Sequence, residues 1–544
     1  MKISLIRKSL VLLGASALIA TGTIVAIPAA SAAPTCAVAS GVTTCLGKLT
    51  AGGDYVIKVP ANFGGTVFFW NHGFRNSYTI PGVTAAPTTV QEITPANDTT
   101  LKDITAIMLK KGFGVASYDG VSKGLHGWNN TDRIEMLKEL IDITGEQFTS
   151  MKKKVVYGSS QAGSFLPAFA EKYPSYADAV GIMAGLEPAK TTFASLCDTM
   201  FILSVFADPN IKGCSALGVS DARGGQTVAV GEIQKVGALL TTWSQNLGAP
   251  SIAYPASIAP YGIPQRSALL MMGLLTGIPT KSAHMDGITP SSKILEQSIN
   301  STVAVLENAA VSIVTGVLAG QAISQLTGPG FYDNTKTDYA SLLTDAELGR
   351  YNLGLSGDDG INLMLATLAA APRIKGDPEA MARFAALDKT NYSSTKPFVL
   401  MANEADRLVF PGNQALFVEK ARAAYDARVE KYDAALAAAV TSAQKKAVRA
   451  TKPVWNVVSL YAVTPDTYTK YTAAGLPDFT AAPAPSGVGH QTFTVPQMTE
   501  WVRLLANAAT SGKVAPQSST PYFAKHAAGL SDDPDYMPNE LKFK

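Results

Sequence analysis

The chain has 544 residues, of which 47% are hydrophobic and 16% are charged. This composition excludes a disordered protein, and the length predicts a core with a large insertion or a second lobe. Three basic residues lie in the first 32 positions, which leaves 42 basic and 42 acidic side chains in the rest of the chain. Because the net charge of this part is zero, the sequence gives no sign of the basic surface that nucleic-acid binding needs.

The N-terminus has the three parts of a secretory signal peptide. A basic start is followed by an apolar stretch from about residue 9 to 27 and by the small residues of Ala30-Ser31-Ala32. We therefore predict that residues 1–32 are a signal peptide, cleaved after Ala32. The mature protein is expected to be exported, to the cell envelope or beyond, with no stable membrane span. An uncleaved membrane anchor is the alternative, which the helix-breaking Pro28 disfavours.

Four cysteines lie beyond the predicted signal peptide. An even number in an exported protein predicts disulfides, and four cysteines allow three pairings. We favour Cys36–Cys45 and Cys197–Cys214, because the members of each pair are close in sequence. The chain has no Cys-x-x-Cys, no His-Glu-x-x-His and no glycine-rich phosphate or dinucleotide motif. The sequence therefore predicts no metal site and no cofactor.

Two segments of the chain alternate between strand and helix patterns, which predicts a mostly parallel sheet with helices on both faces. The first segment is 33–186, and the second, 395–512, completes the same α/β core. Strands are predicted at 54–59, 66–70, 112–117, 154–157, 177–183, 396–402 and 455–462, and helices at 101–111, 132–145, about 163–172, 414–450 and 496–508.

The segment between the two core parts, 187–394, is mainly helical and is predicted to form a cap. It contains two apolar stretches, 268–275 and 309–319. The first is too short to span a membrane and the second is interrupted by Gly316, so both are interpreted as buried cap helices. Residues 513–544 are rich in Pro, Ser and Asp and are predicted to form a C-terminal surface tail.

The strongest chemical signal is the segment Lys154–Gly163, with the sequence KVVYGSSQAG. A strand, a tight turn and a helix can hold a nucleophile at a strained backbone position, where the residues two before and two after it must be small. Ser160 meets this requirement, since Gly158 and Ala162 occupy those positions. Ser159 does not, because it would have a tyrosine and a glutamine there.

This segment resembles the Gly-x-Ser-x-Gly nucleophile elbow of the α/β-hydrolase superfamily, and in particular that of secreted bacterial serine esterases and lipases. Ala162 replaces the usual second glycine, and Gly163 follows it. The resemblance implies an α/β-hydrolase core with a helical cap and a triad in the order serine, acid, histidine. It also implies acyl transfer to water without a metal or cofactor.

The resemblance also implies the other two members of the triad. Asp406 follows the strand 396–402 in an Asp-x-x-Val-x-Pro turn of the kind that presents the acid, and Glu404 is the second choice. His490 lies in a glycine-flanked loop before the last core helix, where this fold places its base. His126 and His284 precede Asp406 and so break the chain order.

An oxyanion hole needs two backbone N–H donors near the nucleophile. One is predicted to be the N–H of Gln161, the residue after Ser160. The other is predicted to be the N–H of Phe74, because the sequence Asn71-His-Gly-Phe74 resembles the His-Gly motif of lipases and esterases at this point of the fold. A simple tight turn is the alternative for this second segment.

Together these features predict a secreted serine hydrolase that cleaves carboxylic esters, of a small molecule or a polymer, through an acyl-enzyme. Met271 and Met272 of the predicted cap indicate a hydrophobic substrate, unless they only fill the core of the cap. A polyester depolymerase and a serine peptidase on the same fold are the nearest alternatives. A non-catalytic envelope or binding protein is the alternative of another class, and no particular oligomeric state is predicted.

Overall fold

The computed structural model describes residues 33–80, 89–218, 225–289, 294–387, 390–514, 520–533, 536, 538–539 and 541–543. The predicted signal peptide lies outside these residues. Within them, ten strands form one sheet. The strands are β1 (Thr35–Ala39), β2 (Val42–Lys48), β3 (Asp54–Pro60), β4 (Thr66–Asn71), β5 (Gly114–Tyr118), β6 (Lys153–Ser159), β7 (Ala179–Met183), β8 (Phe398–Asn403), β9 (Val457–Ala462) and β10 (Leu530–Ser531).

The strand order across the sheet is β1-β2-β3-β5-β4-β6-β7-β8-β9-β10. The six strands from β5 to β9 in this order run parallel, and antiparallel strands are added at both edges. The parallel strands are short apolar runs such as Val-Val-Tyr in β6, because both faces of the sheet are covered. The predicted mostly parallel sheet is therefore confirmed.

The described residues also form fourteen α-helices. These are α1 (Thr105–Lys110), α2 (Asn130–Gln147), α3 (Leu166–Lys172), α4 (Ala189–Phe206), α5 (Gln226–Gln245), α6 (Gln265–Thr276), α7 (Ile294–Thr327), α8 (Asp345–Tyr351), α9 (Gly357–Ala370), α10 (Pro378–Ala385), α11 (Gly412–Ala438), α12 (Ser442–Arg449), α13 (Val495–Ser511) and α14 (Thr520–His526).

Helices cover both faces of the sheet, as predicted, and give the protein two core layers. Helices α2, α3 and α11 pack on one face, where Val156 of β6 is buried. Helices α1, α13 and α14 pack on the other face, where Val155 and Tyr157 of the same strand are buried. This alternation along β6 follows from the two-residue period of a strand.

Helices α4 to α10 all lie between β7 and β8, in the segment predicted to form the cap, and share one apolar cluster. Met271 and Met272 are fully buried within that cluster, so they fill its core and do not indicate a hydrophobic substrate. In the described residues, two helical segments, Ala189–Phe206 and Ile299–Thr327, are long and apolar enough to cross a membrane. The most apolar 18-residue stretch of the first helix is 78% buried inside the protein, and that of the second is 72% buried, as is typical of core helices.

Both predicted disulfides, Cys36–Cys45 and Cys197–Cys214, are present. The first links β1 to β2, where the two cysteines face each other across an antiparallel hairpin that the sequence pattern did not predict. The second joins α4 to the short 3-10 helix Gly213–Ala216 that follows it. The predicted helix at 414–450 is two helices, because Thr441 forms a capping box with Gln444 and starts α12.

The prediction of a surface tail after residue 512 is wrong. Helix α14 packs on the sheet through Phe523, and β10 pairs with β9. Further on, Leu541 is buried in the cap cluster, and the Lys542 ammonium lies 2.7 Å from a carboxylate oxygen of Glu347. A composition rich in Pro, Ser and Asp did not indicate these contacts, since they are made by a few apolar and charged residues spaced along the segment.

Candidate active site

Ser160 lies directly after the carboxyl end of β6, between the ends of β4 and β7. Its φ is +53°, in the left-handed region that a residue with a side chain occupies only at an energetic cost. Ser159 has an extended φ of −127° and a buried side chain, whereas Ser160 is partly exposed. Of the two serines, Ser160 alone has the strained, accessible position that a nucleophile needs.

The residues around Ser160 explain why the turn requires small side chains. A methyl group on Gly158 would lie 2.4 Å from the Asn71 carbonyl oxygen and 2.6 Å from the Ala162 Cβ. A methyl group on Gly163 would lie 2.7 Å from the Gly185 Cα. These distances are far below van der Waals contact, so Gly158 must lack a side chain, as the steric rule requires, and Gly163, the residue after Ala162, is equally restricted.

The loop after β4 is packed against the nucleophile. A methyl group on Gly73 would lie 2.9 Å from the Ser160 Cβ and 3.4 Å from its Oγ. The backbone of residues 72–74 is therefore beside the serine, where the N–H of Phe74 is predicted to act. The N–H of Gln161 lies in the first turn of the short 3-10 helix Ser160–Ser164. Because the first N–H groups of a helix have no acceptor within it, this N–H can donate to another group.

The predicted acid and base are in contact. The His490 Nδ1–H donates to the Asp406 carboxylate, at 3.0 Å to Oδ1 and 2.9 Å to Oδ2. Asp406 is fully buried, and its Oδ1 also accepts the backbone N–H groups of Leu408 and Val409, at 2.8 and 3.0 Å. These three donors hold the carboxylate and the histidine ring in one orientation.

The other ring nitrogen of His490, Nε2, is buried and has no hydrogen-bond partner within the described part of the chain. Burial lowers the pKa of His490, but the charge of Asp406 and its hydrogen bond raise it more, so that the pKa lies above its usual 6.5. Asp98 acts in the same direction, and Arg407 opposes it. With Nδ1–H bound to Asp406, Nε2 is the nitrogen that can accept a proton.

Glu404, the second choice for the acid, has other partners. Its carboxylate accepts the Lys281 ammonium at 2.9 Å and both the N–H and the hydroxyl of Thr464 at 2.7 Å. This places it between the cap and the loop after β9, and no contact joins it to His490 among the described residues. The structure therefore brings Asp406, and not Glu404, to the histidine.

No protein-family model and no curated protein sequence matches the chain. Solved structures to which the chain is similar include an esterase from Aspergillus oryzae (11% identity, TM-score 0.34) and feruloyl esterase B from the same organism (12% identity, TM-score 0.35). Each comparison covers 88% of this chain and 81% of the other. An α/β hydrolase fold protein from Nakamurella multipartita is 11% identical over 77% of this chain and 90% of its own, with a TM-score of 0.26.

The order of the site residues along the sheet identifies the fold. A parallel sheet presents a strained serine between β6 and α3, an acid after β8 and a histidine after β9, in that chain order. The fold is that of the α/β hydrolases. The predicted α/β-hydrolase core with a large helical insertion is thus confirmed.

Three residues that support the candidate site were missed in the sequence analysis. Asn403, the last residue of β8, donates its side-chain amide to the carbonyls of Gly489 and His490, at 3.2 and 3.1 Å. Asn71, the last residue of β4, donates to the Tyr157 carbonyl at 3.2 Å. A signal was present for both, since a buried asparagine that ends an apolar strand must satisfy its amide within the protein.

The third is Arg133 in α2, which is 1% exposed. The sequence contained a signal that this arginine is buried, because Arg133, Leu137 and Leu140 have the spacing of residues on one face of a helix. A charged residue on the apolar stripe of a helix needs specific partners. For Arg133 these partners lie in the two segments that carry the predicted oxyanion donors.

His72, in the predicted oxyanion loop, cannot serve as a base. Its Nε2 accepts the Gly120 N–H at 2.9 Å, so its proton is on Nδ1, which donates to the Gly73 carbonyl at 2.6 Å. Burial and the nearby Arg133 and Arg75 hold the pKa of His72 well below its usual value. The ring is therefore neutral, and its two hydrogen bonds connect the loop after β4 to Gly120.

The cap packs directly on the site. Ser312 of α7 donates its hydroxyl to the Arg407 carbonyl, next to the predicted acid. The Phe74 ring lies 6.0 Å from that of Trp128, which in turn meets Phe193 of α4 at 5.4 Å. The loop after β4 is thus continuous with the apolar core of the helical insertion.

Proposed function

We propose that this α/β hydrolase is a secreted serine hydrolase that cleaves carboxylic esters through an acyl-enzyme. Ser160 is the nucleophile, His490 the general base and acid, and Asp406 the group that orients His490. The N–H groups of Gln161 and Phe74 form the oxyanion hole. The observation that supports this proposal is the buried Nε2 of His490, which has no partner among the described residues while Nδ1 is held 2.9 Å from Asp406.

The proposed reaction assigns one step to each of these groups. The Ser160 Oγ attacks the acyl carbon and transfers its proton to the His490 Nε2, while the carbonyl oxygen gains the negative charge that the two N–H groups receive. The tetrahedral intermediate collapses, the C–O bond to the alcohol breaks, and His490 gives its proton to the leaving oxygen. Water then attacks the acyl-enzyme with the same histidine as base and releases the acid and Ser160.

Secretion and an apolar substrate are further parts of the proposal. The two disulfides are of the kind found in exported proteins, and the signal-peptide pattern precedes them. The apolar core of the helical insertion reaches the loop after β4 through Trp128, which is buried, and Phe74, which is partly exposed. An acyl or alcohol group bound beside Phe74 is therefore expected to meet an aromatic ring. A hydrophobic ester is therefore the substrate class that we propose.

The experiment is covalent labelling of the mature, disulfide-intact protein by a fluorophosphonate probe. We expect the wild type and Ser159→Ala to be labelled and Ser160→Ala not to be, because only Ser160 is expected to be activated. Ser159→Ala is a close control, since it removes the neighbouring hydroxyl, which is buried and has no hydrogen-bond partner in the described structure. A panel of p-nitrophenyl esters of increasing chain length and a matched panel of peptide anilides then compare ester with amide hydrolysis.

Absence of labelling and of ester hydrolysis in folded wild type would overturn the proposal and favour a binding protein. Labelling that persists in Ser160→Ala would place the nucleophile elsewhere. Faster turnover of the anilides than of the esters would replace the esterase by a peptidase.

A further inference from the structure

Arg133 connects the two segments that flank the nucleophile. Its Nη2 donates to the His72 carbonyl oxygen at 2.7 Å, in the loop that leads to Phe74. Its Nη1 donates to the Gln161 side-chain oxygen at 3.2 Å, on the residue after Ser160. A single planar guanidinium therefore touches both sides of the predicted oxyanion hole.

The surroundings of Arg133 fix its position. The guanidinium carbon lies 4.7 Å from the centre of the Phe165 ring and 5.8 Å from that of Tyr118. Gly120 lies against it, because a methyl group there would be 3.1 Å from the Arg133 Nε. The side chain is 1% exposed, so these neighbours exclude it from bulk water.

The charge of Arg133 is not neutralised by a direct ion pair. Within the part of the chain that the structure describes, no carboxylate oxygen lies within 4.0 Å of its guanidinium nitrogens. Asp119, the acid whose charge acts on it, is in contact with His126 at 2.7 Å and with Arg75 at 3.5 Å. The Arg133 Nε is buried and has no partner among the described residues. A buried cation held by neutral acceptors is costly, and a purely structural role would be filled equally well by an apolar side chain.

We propose that Arg133 is the positioning residue of the oxyanion hole: it sets the spacing between the Phe74 and Gln161 N–H groups, and its positive charge favours the oxyanion. This inference rests on the proposed function, since it assigns a role in the same site. No carboxylate among the described residues pairs directly with the Arg133 guanidinium. The negative charge that develops on the substrate carbonyl oxygen is therefore expected to be stabilised by this positive charge. The effect belongs to the transition state and not to substrate binding.

The first test compares Arg133→Met and Arg133→Lys with wild type, with Arg503→Met as the control. Arg503 is on α13, on the opposite face of the sheet, where it pairs with Glu500. We expect Arg133→Met to lower kcat by about 100-fold, which is the effect of losing one oxyanion donor, with KM nearly unchanged. Arg133→Lys keeps the charge and is expected to lose less. Fluorophosphonate labelling should slow in the same order.

The pH dependence separates positioning from a change in the base. Arg133 makes no contact with His490 in the described structure, so the midpoint of the acidic limb of kcat/KM should be the same in Arg133→Met as in wild type. A structural collapse of the site would change that midpoint, KM and the melting temperature together. If folded Arg133→Met keeps the kcat of the Arg503→Met control, the proposal is wrong.

A second test needs no turnover and separates this inference from the proposed function. Hydrogen–deuterium exchange of a peptide that covers residues 70–78 reports whether Arg133 holds the loop after β4 in a fixed conformation. We expect faster exchange in this peptide for Arg133→Met and for Arg133→Lys, and no change for Arg503→Met. If the wild type is inactive, the proposed function fails, but the exchange rates still test whether Arg133 positions the loop. Unchanged exchange in both Arg133 variants would overturn the positioning role.

Discussion

The Asp406 carboxylate holds the His490 Nδ1 at 2.9 Å, and the two residues are 84 positions apart in the chain. Replacing Asp406 with Asn keeps an oxygen for the N–H groups of Leu408 and Val409 but turns an N–H toward the histidine. The histidine must then carry its proton on Nε2, where it cannot act as a base. We expect Asp406→Asn to lower kcat by roughly 10⁴-fold, as steady-state or single-turnover kinetics would show.

Glu404→Gln is the matched control for Asp406→Asn. Glu404 pairs with Lys281 and Thr464, so its replacement should affect stability and leave kcat within about threefold of wild type. The reverse result, with activity lost only in Glu404→Gln, would assign the acid to Glu404.

The pH profile follows from the raised pKa of His490. The base must be neutral at Nε2, so kcat/KM should fall as the pH drops through the pKa of the free enzyme. Because Asp406 raises that pKa above 6.5, the midpoint of the acidic limb is expected above 6.5. Any residual activity of Asp406→Asn should show a lower midpoint, since burial lowers the pKa once the carboxylate is gone. A wild-type midpoint below 6.5 would contradict this.

The turn at Ser160 predicts opposite results for two small substitutions. Gly158→Ala introduces a methyl group 2.4 Å from the Asn71 carbonyl, so we expect a loss of about 2–4 kcal/mol in unfolding free energy together with most of the activity. Ala162→Gly removes a methyl group from the same turn and should retain activity. Urea unfolding and ester hydrolysis measure both. Wild-type stability of Gly158→Ala would show that the backbone can shift there.

Asp198 in the cap predicts a pH-dependent stability. It is 1% exposed, it accepts the Tyr339 hydroxyl, and Arg373 stacks 4.6 Å above the Tyr339 ring. Burial raises the pKa of Asp198 from 3.8 to about 6. Since the folded state holds the proton more tightly than the unfolded state, this stabilisation is full below pH 3.8 and is lost as the pH rises through about 6.

Asp198→Asn should remove that pH dependence. The amide keeps an oxygen for Tyr339 and carries no charge, so at about pH 8 the variant is expected to be more stable than wild type by about 1–3 kcal/mol, and at about pH 4 to be similar. Denaturant midpoints measured at the two pH values compare them. A variant that is less stable than wild type at the higher pH would show that Arg373 compensates the ionised carboxylate.

The C-terminal segment predicts a link between core and cap. Lys542 donates to both carboxylate oxygens of Glu347 and to the Leu342 carbonyl, and its side chain is 9% exposed. We expect Lys542→Met to lower the unfolding free energy by about 1–3 kcal/mol, because it leaves a partly buried carboxylate without its cation. Lys525→Met, at an exposed position in α14, is the control and should be neutral. Equal stability of the two variants would remove Lys542 from this role.

The sequence determined those features whose physics is local. The steric rule around Ser160 involves positions two residues apart, so Gly158 and Ala162 are enough to identify the turn. The parallel sheet followed from alternating strand and helix patterns, and the two disulfides from short separations in sequence. His490 could be singled out because it follows a strand and the acid in the order that the fold requires.

The tertiary structure decided what depends on residues far apart in the chain. Asp406 and Glu404 lie two residues apart in one loop, and only the direction of each side chain shows which one meets His490. The Arg133 contacts join a helix to two loops, and Lys542 reaches a cap helix 195 residues away. Such contacts leave only weak local signals, because the pattern around a residue reports whether it is buried but not what it touches.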